Sequence, residues 1–125
     1  MMGVKKVVFI GGCWDLFHIG HLNILQRAAA MGDTLVVGVN ADELVERDKG
    51  MKPAISFEHR YRIIEALKCV DIVIKQTVKT DIGQLKEYKV NIVVVGEDWE
   101  GKYVEGLEWM KKHGVLWQEF GIRNG

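Results

Sequence analysis

Two histidines lie three residues apart, shortly after a pair of glycines near the start of the chain. Residues 11–21 read GGCWDLFHIGH and include His18, Gly20 and His21. If a helix begins there, both imidazoles lie on one face beside free main-chain N–H groups at the positive end of the helix dipole. Imidazoles in that position donate to phosphate oxygens and stabilise negative charge that builds up in a transition state. The pair therefore favours phosphoryl-transfer chemistry, whereas a lone histidine would favour a structural role.

Short β-branched runs alternate with longer segments of helical periodicity, a pattern typical of βα units in a parallel sheet. Five strands are predicted, over residues 5–11, 34–40, 71–75, 91–96 and 115–120. Because ligands of such sheets bind beyond the carboxyl ends of the strands, the histidine pair follows the first strand at a suitable place. One domain is expected over residues 1–125.

Four helices are predicted between these strands. They are expected over residues 18–31, over residues 56–69 with Ser56 as N-cap, from a cap at Thr80 or Asp81 to residue 88, and over residues 104–113. Gly32 is predicted to stop the first helix in a left-handed conformation, and Gly114 to break the last one. Residues 41–55 carry many charges and the only proline, so we predict one long polar loop with a functional or mobile role.

The composition argues against several other classes of protein. Seventeen Lys plus Arg balance seventeen Asp plus Glu, so the broad cationic field of a nucleic-acid binder or membrane-surface protein is missing. The apolar runs are far shorter than the ~20 residues of a membrane-spanning helix. Cys13 and Cys69 are the only cysteines, which indicates free thiols in a reducing compartment. We therefore expect a cytoplasmic location, with no nucleic acid and no membrane as partners.

Two motifs resemble one enzyme family. Gly12, Asp15, His18, Gly20 and His21 match the G-x-x-D-x-x-H-x-G-H spacing of the HxGH nucleotidyltransferases. Residues 96–102, GEDWEGK, are similar to the G-D-D-W-x-G-K segment of glycerol-3-phosphate cytidylyltransferases. Further similarity over residues 25–39 and 56–71 extends the resemblance to about residues 5–102. The same HIGH string occurs in class I aminoacyl-tRNA synthetases. Because their catalytic domain and tRNA-binding parts together need more than 125 residues, that interpretation is set aside.

The resemblance implies a Rossmann-like α/β fold with a parallel five-stranded sheet of order 3-2-1-4-5 and helices on both faces. In that order the two motifs would open onto one crevice. The implied activity is a cytidylyltransferase that moves CMP from CTP, bound with Mg²⁺, to a small phosphorylated alcohol such as glycerol 3-phosphate. Pyrophosphate and a CDP-alcohol would be the products. Members of the family are usually homodimers, so the resemblance also implies a homodimer.

Three alternatives remain open. Residues 49–53, KGMKP, are also similar to loops in sugar-phosphate adenylyltransferases, which favours an adenylyltransferase acting on a sugar or cofactor phosphate. Gly121 and Ile122 match only part of the family's C-terminal R-T-x-G-I-S-[ST]-T motif. That departure would suit a nucleotide-binding protein with little activity. A flavodoxin-like structural or interaction domain is the third alternative, and the paired motifs argue against it.

The resemblance also implies roles for individual residues. Catalysis is implied for His18, His21 and Lys52. Nucleotide binding is implied for a wider set, which is Gly12, Cys13, Trp14, His18, Ile19, Gly20, His21, Lys52, Asp98 and Trp99. Acceptor binding is implied for Asp15, Lys49 and Arg60, although Lys49 and Lys52 could exchange their duties. No metal site held by protein side chains alone is expected.

Overall fold

The structure is a computed structural model that describes residues 5–96 and 106–120. Five parallel strands form one sheet, and they are β1 (Val7–Gly12), β2 (Thr34–Asn40), β3 (Ile72–Gln76), β4 (Ile92–Gly96) and β5 (Leu116–Phe120). The helices are α1 (Ile19–Ala29), α2 (Asp42–Lys49), α3 (Phe57–Glu65), α4 (Ile82–Glu87) and α5 (Leu107–Lys112). The strand order is β3-β2-β1-β4-β5, which confirms the predicted fold class.

Helices cover both faces of the sheet, and alternate residues of each strand pack on opposite sides. Val8 and Ile10 of β1 pack with Leu25 of α1 and Ile64 of α3. Phe9, between them in sequence, packs on the other face in a cluster that also holds residues of α4 and α5. Because neither face meets water, β1, β2 and β4 are nearly continuous apolar runs. The strand order reverses at β1, so the carboxyl end of β1 is the expected ligand site.

The long polar loop predicted for residues 41–55 is wrong in its first half, where α2 forms. Acidic residues occupy the first turn of α2 and basic residues the last, which suits the helix dipole. Leu44 and Val45 are its only buried side chains, so the apolar signal was too short to stand out from the charges. Gly50 ends the helix with φ +81°. Only residues 50–56 remain irregular.

Gly32 does not act as the predicted left-handed stop. Helix α1 ends earlier, at Ala29, and its C-cap Ala30 keeps right-handed angles. Gly32 is required for a close approach instead, since a Cβ there would lie 2.7 Å from Cγ2 of Val8 and 2.8 Å from the carbonyl oxygen of Lys6. The predicted break at Gly114 is confirmed by its φ of +71°.

The other predicted caps have mixed outcomes. Asp81 caps α4 as predicted, with its side chain accepting from the N–H of Gln84. Ser56 occupies the N-cap position of α3, but its side chain makes no capping hydrogen bond. Helix α3 ends at Glu65, short of the predicted residue 69.

In the described part of the chain, no helix has the length and apolar character needed to cross a membrane.

Candidate active site

A cleft of about 580 Å³ lies at the carboxyl ends of the strands. Its walls come from the end of β1, the start of α1, the end of α2 and the turn between β3 and α4. Eight residues predicted for the site line it together, and they are Gly12, Cys13, Trp14, Asp15, His18, Gly20, His21 and Lys49. The structure therefore brings most of the histidine-bearing segment to one opening.

Three predicted residues lie outside this lining. Ile19 is 69% exposed, and Lys52 is exposed in the irregular segment after α2. Arg60 is completely buried. Asp98 and Trp99 lie outside the described residues, and so does the predicted start of the last helix at residue 104. Strand β4, which leads to Asp98, pairs directly with β1 over residues 8–10 and ends at Gly96.

His18 and His21 cap the start of α1 reciprocally. Nδ1 of His18 accepts a hydrogen bond from the N–H of Gly20 at 3.0 Å. The N–H of His18 donates in turn to Nδ1 of His21 at 3.1 Å. This is the geometry of a capping box, a role usually held by Ser or Thr with Glu or Gln. Because a nitrogen that accepts carries no proton, both rings hold their proton on Nε2 and keep one N–H donor each.

The environment of His21 favours the uncharged imidazole. Its ring lies 4.0 Å from that of His18, centroid to centroid, and 5.3 Å from that of Phe17. Burial lowers the pKa of His21, nearby His18 lowers it further, and Asp15 acts in the opposite direction with a smaller effect. His21 is therefore a neutral hydrogen-bond donor near pH 7, in agreement with its accepting Nδ1.

Asp15 connects the histidine-bearing turn to the segment after α2. Its two carboxylate oxygens accept from the N–H groups of Ala54 and Ile55, at 2.8 and 2.9 Å. Desolvation raises the pKa of Asp15, but the hydrogen bonds from Ala54 and Ile55 outweigh it, so the net pKa is lowered. Asp15 lines the cleft as predicted, and in this structure its carboxylate holds the loop that carries Lys52.

Arg60 lies beneath the cleft and stabilises the ends of β1 and β2. Its guanidinium donates to the carbonyl oxygens of Cys13, Asn40 and Ile55 at 2.7 to 2.8 Å. It also forms an ion pair of 2.7 Å with Asp42 at the start of α2. All three guanidinium nitrogens are thus engaged within the protein. Sequence reasoning found this arginine, but the structure places it at the main chain below the site.

The turn between β1 and α1 has an unusual backbone. Trp14 and Leu16 have φ values of +58° and +49°, a region that residues with side chains rarely adopt. The indole N–H of Trp14 donates to the carbonyl oxygen of Gly38 at 2.9 Å. A Cβ on Gly12 would lie 2.9 Å from the Trp14 ring, so Gly12 makes room for the indole. These contacts direct Asp15 toward residues 54 and 55.

Sequence reasoning missed the side of the cleft beyond β2. Asn40, Asp48, Gln76, Lys79 and Thr80 line it. Nζ of Lys79 lies 3.7 Å from a carboxylate oxygen of Asp48, which joins α2 to the turn after β3. The signal that could have found these residues is topological, because β3 ends at the same edge of the sheet as β1.

A nucleotidyltransferase is the class of protein that this fold and this site define: a doubly wound sheet with paired imidazoles at the start of the first helix. The cytidylyltransferase-like family matches residues 9–117, and the chain belongs to that family. The narrower resemblance to glycerol-3-phosphate cytidylyltransferases stays a prediction, because the curated relatives described next carry another name.

Those relatives include the "Bifunctional protein HldE" of Helicobacter pylori (strain G27), 42% identical over 118 residues, covering 94% of this chain and 25% of that protein. The protein of the same name from Helicobacter hepaticus (strain ATCC 51449 / 3B1) is 38% identical over 109 residues, covering 86% of this chain and 23% of the relative. The chain thus spans about a quarter of the length of the curated relatives it matches.

Solved structures share the fold. The lipopolysaccharide core biosynthesis protein from Thermoplasma volcanium GSS1 superposes with a TM-score of 0.77 and 27% identity, covering 98% of this chain and 99% of that one. Pantoate-beta-alanine ligase from Francisella tularensis superposes with a TM-score of 0.62, covering 97% of this chain and 60% of the other. At 15% identity, that likeness concerns the fold alone.

Proposed function

We propose that this protein transfers an adenylyl group from ATP to the phosphate of a sugar and releases pyrophosphate. The observation that carries the proposal is the pair of imidazoles at the cleft, each with Nδ1 hydrogen-bonded to a main-chain N–H group and with Nε2 free of the cap. Similarity to HldE proteins and to a lipopolysaccharide core protein supports a sugar as the acceptor. The resemblance of residues 49–53 to loops of sugar-phosphate adenylyltransferases supports ATP.

The chemistry needs positioning and charge stabilisation more than a covalent intermediate. An oxygen of the acceptor phosphate attacks the α-phosphorus of ATP in line, a new P–O bond forms, and the bond to pyrophosphate breaks. Charge on the non-bridging oxygens is stabilised by the Nε2–H groups of His18 and His21 and by main-chain N–H groups at the start of α1. Lys49, which lines the cleft, and Lys52 offset the repulsion between the two polyanions.

Mg²⁺ fits this site as a partner of the triphosphate. Within residues 5–96 and 106–120, no group of three or more His, Cys, Asp or Glu side chains is arranged to hold a metal ion. The carboxylates of Asp15 and Asp48 at the cleft are engaged with main-chain N–H groups and with Lys79. Phosphate oxygens and water molecules would therefore supply most of the ligands of Mg²⁺. When bound, the ion neutralises phosphate charge.

The remaining residues have positioning and lining roles in this proposal. Gly12, Cys13 and Trp14 form the wall beside the phosphates, while Arg60 holds the strand ends below them. Asp98 and Trp99 follow β4, and we assign them to the border of the nucleotide site on the strength of the family resemblance. The homodimer and the cytoplasmic location expected from the sequence belong to the same proposal.

Cytidylyl transfer to glycerol 3-phosphate is the second candidate, favoured by the GEDWEGK segment. The test measures pyrophosphate release with ATP or CTP in combination with sugar phosphates or glycerol 3-phosphate, and identifies the products by mass spectrometry. We expect an ADP-sugar from ATP and a sugar phosphate. A CDP-alcohol as the main product would favour the second candidate, and no turnover with any pair would refute both.

Histidine variants test the mechanism within that assay. Replacing His18 or His21 by Ala should lower kcat by on the order of 10²–10³, the effect of removing one transition-state donor. His59→Ala is the matched control, because His59 is exposed on α3 and does not line the cleft. An unchanged kcat in both cleft variants would remove the imidazoles from the mechanism.

A further inference from the structure

Gln76 is a buried polar residue at the base of the cleft, and the reaction described above gives it no role. It ends β3, is only 1% exposed and lines the cleft. Its carboxamide lies across the neighbouring strands β2 and β1, above Gly38 and Gly11. A Cβ on Gly38 would lie 2.5 Å from Oε1 of Gln76, and a Cβ on Gly11 would collide with the same oxygen. Two glycines in adjacent strands therefore make room for one carboxamide.

The hydrogen bonds of Gln76 determine which way its amide faces. Nε2 donates to the carbonyl oxygen of Lys79 at 3.2 Å. Because a main-chain carbonyl only accepts, the amino group must face Lys79, and Oε1 occupies the other position. No described residue donates a hydrogen bond to this oxygen. Within the described residues only Oε1 of Gln84 is a fully buried side-chain atom without a partner, so Oε1 of Gln76 keeps some contact with the cleft, where a ligand that donates to it would be stabilised.

The surroundings of Oε1 indicate the ligand chemistry. A carbonyl oxygen accepts hydrogen bonds only, so it favours a hydroxyl or amino group and disfavours a phosphate or carboxylate. Lys49 and Lys79 line the same side of the cleft as Asp48, whose carboxylate lies 3.7 Å from Nζ of Lys79, and lysine ammonium groups suit a phosphate. Ammonium groups beside an uncharged hydrogen-bond acceptor, Oε1 of Gln76, are complementary to a phosphate ester that carries hydroxyl groups.

We propose that Gln76 is a specificity-determining residue, and that its Oε1 accepts a hydrogen bond from one hydroxyl of the sugar phosphate acceptor. The inference rests on the proposed function for the identity of the acceptor. It identifies the residue through which the protein discriminates between acceptors with more and with fewer hydroxyl groups. The amino group of a nucleotide base has the same donor chemistry, and the experiment below separates it from a sugar hydroxyl.

The first measurement uses the unaltered protein and sugar phosphates that each lack one hydroxyl. One of these analogues should lose about tenfold in kcat/KM relative to the complete sugar phosphate, the effect of one hydrogen bond. In Gln76→Met, which keeps a side chain of similar length, the complete sugar should lose about tenfold and the analogue should lose little. The difference between the two substrates should then disappear.

Gln84→Met is the matched control. Gln84 belongs to α4 and does not line the cleft, and its own Oε1 is buried without a partner. The control should keep the discrimination of the unaltered protein. The inference is overturned if the unaltered protein discriminates against none of the analogues, or if the penalty persists in Gln76→Met. Weaker ATP binding by Gln76→Met without acceptor would also overturn it, because Oε1 would then serve the base.

Equilibrium binding separates this inference from the proposed function. The sugar phosphates are titrated calorimetrically in the presence of a non-hydrolysable ATP analogue, so no turnover is needed. Binding that depends on Gln76, without pyrophosphate release, would refute the proposed function and support the inference. If Gln76→Met changes neither turnover nor binding, the proposed function is supported and the inference about Gln76 is refuted. If no sugar phosphate binds, the inference fails, while the assay with glycerol 3-phosphate still tests cytidylyl transfer.

Discussion

Replacement of Arg60 by Met should destabilise the protein strongly. The guanidinium is fully buried and donates to three main-chain carbonyls as well as to Asp42. Methionine fills a similar volume but satisfies none of these groups. Breaking a buried ion pair by removing one partner typically costs about 3–5 kcal/mol. Since domains of this size unfold with about 5–15 kcal/mol, the loss is a large share of the total.

The assay is urea denaturation followed by circular dichroism, with thermal unfolding as a second probe. A loss of about 3–5 kcal/mol corresponds to a fall of roughly 12–20 °C in Tm for a domain of this length. Arg62→Met is the control, because Arg62 lies two residues after Arg60 on the same helix and is exposed. That variant should stay within about 0.5 kcal/mol of the unaltered protein.

A second variant separates the carbonyl contacts from the ion pair. Asp42 keeps a side-chain exposure of 29%, so water can compensate partly for the loss of its charge. Asp42→Asn should therefore lose only about 1–2 kcal/mol, less than Arg60→Met. If Arg60→Met lost under ~1 kcal/mol, or if the two variants lost equal amounts, the idea that Arg60 stabilises the strand ends through their carbonyls would be refuted.

Three further predictions concern the cleft and its support. The pKa of His21 is lowered in the folded state, so between that pKa and the unfolded value of ~6.5 the unfolded chain binds more protons than the folded one. The unfolding free energy should therefore fall as the pH drops through this window. His21→Gln, which can still cap α1, should make the unfolding free energy from urea titrations depend less on pH. Asp15→Asn should loosen residues 50–56 and speed hydrogen exchange at the N–H groups of Ala54 and Ile55, which donate to Asp15; unchanged exchange there would show that these hydrogen bonds are dispensable. Gly32→Ala should lower the unfolding free energy by about 1–3 kcal/mol through the clash with Val8 and Lys6, and an unchanged Tm would contradict the close approach.

The sequence predicted the strands and the histidine pair because their signals are local. Apolar runs of β-branched residues identified β1 to β5 within one or two residues, and the spacing of His18 and His21 placed both at the start of α1. The partners of Arg60 could not be read this way, since Cys13, Asn40 and Ile55 contribute main-chain oxygens that carry no residue signal. The polarity of α2 hid a helix with only two buried side chains.

Gln76 shows a different limit. Its type and its position at the end of a strand are unremarkable in the sequence. Its importance depends on Gly38 and Gly11, which lie 38 and 65 residues earlier in the chain. Such a contact is visible only once the register of three strands is known. The left-handed backbone at Trp14 is similar, because it depends on an indole contact with Gly38 that propensity at a single position cannot indicate.

The reciprocal cap at the start of α1 has a consequence for recognition. An imidazole whose inner nitrogen is already bound to the main chain cannot rotate to follow an arriving nucleotide. The two outer nitrogens are thus oriented by folding itself, before any substrate is present, and little ordering remains for the binding step. The triphosphate must adapt to the protein, and selectivity for its shape is established when the first turn of the helix forms.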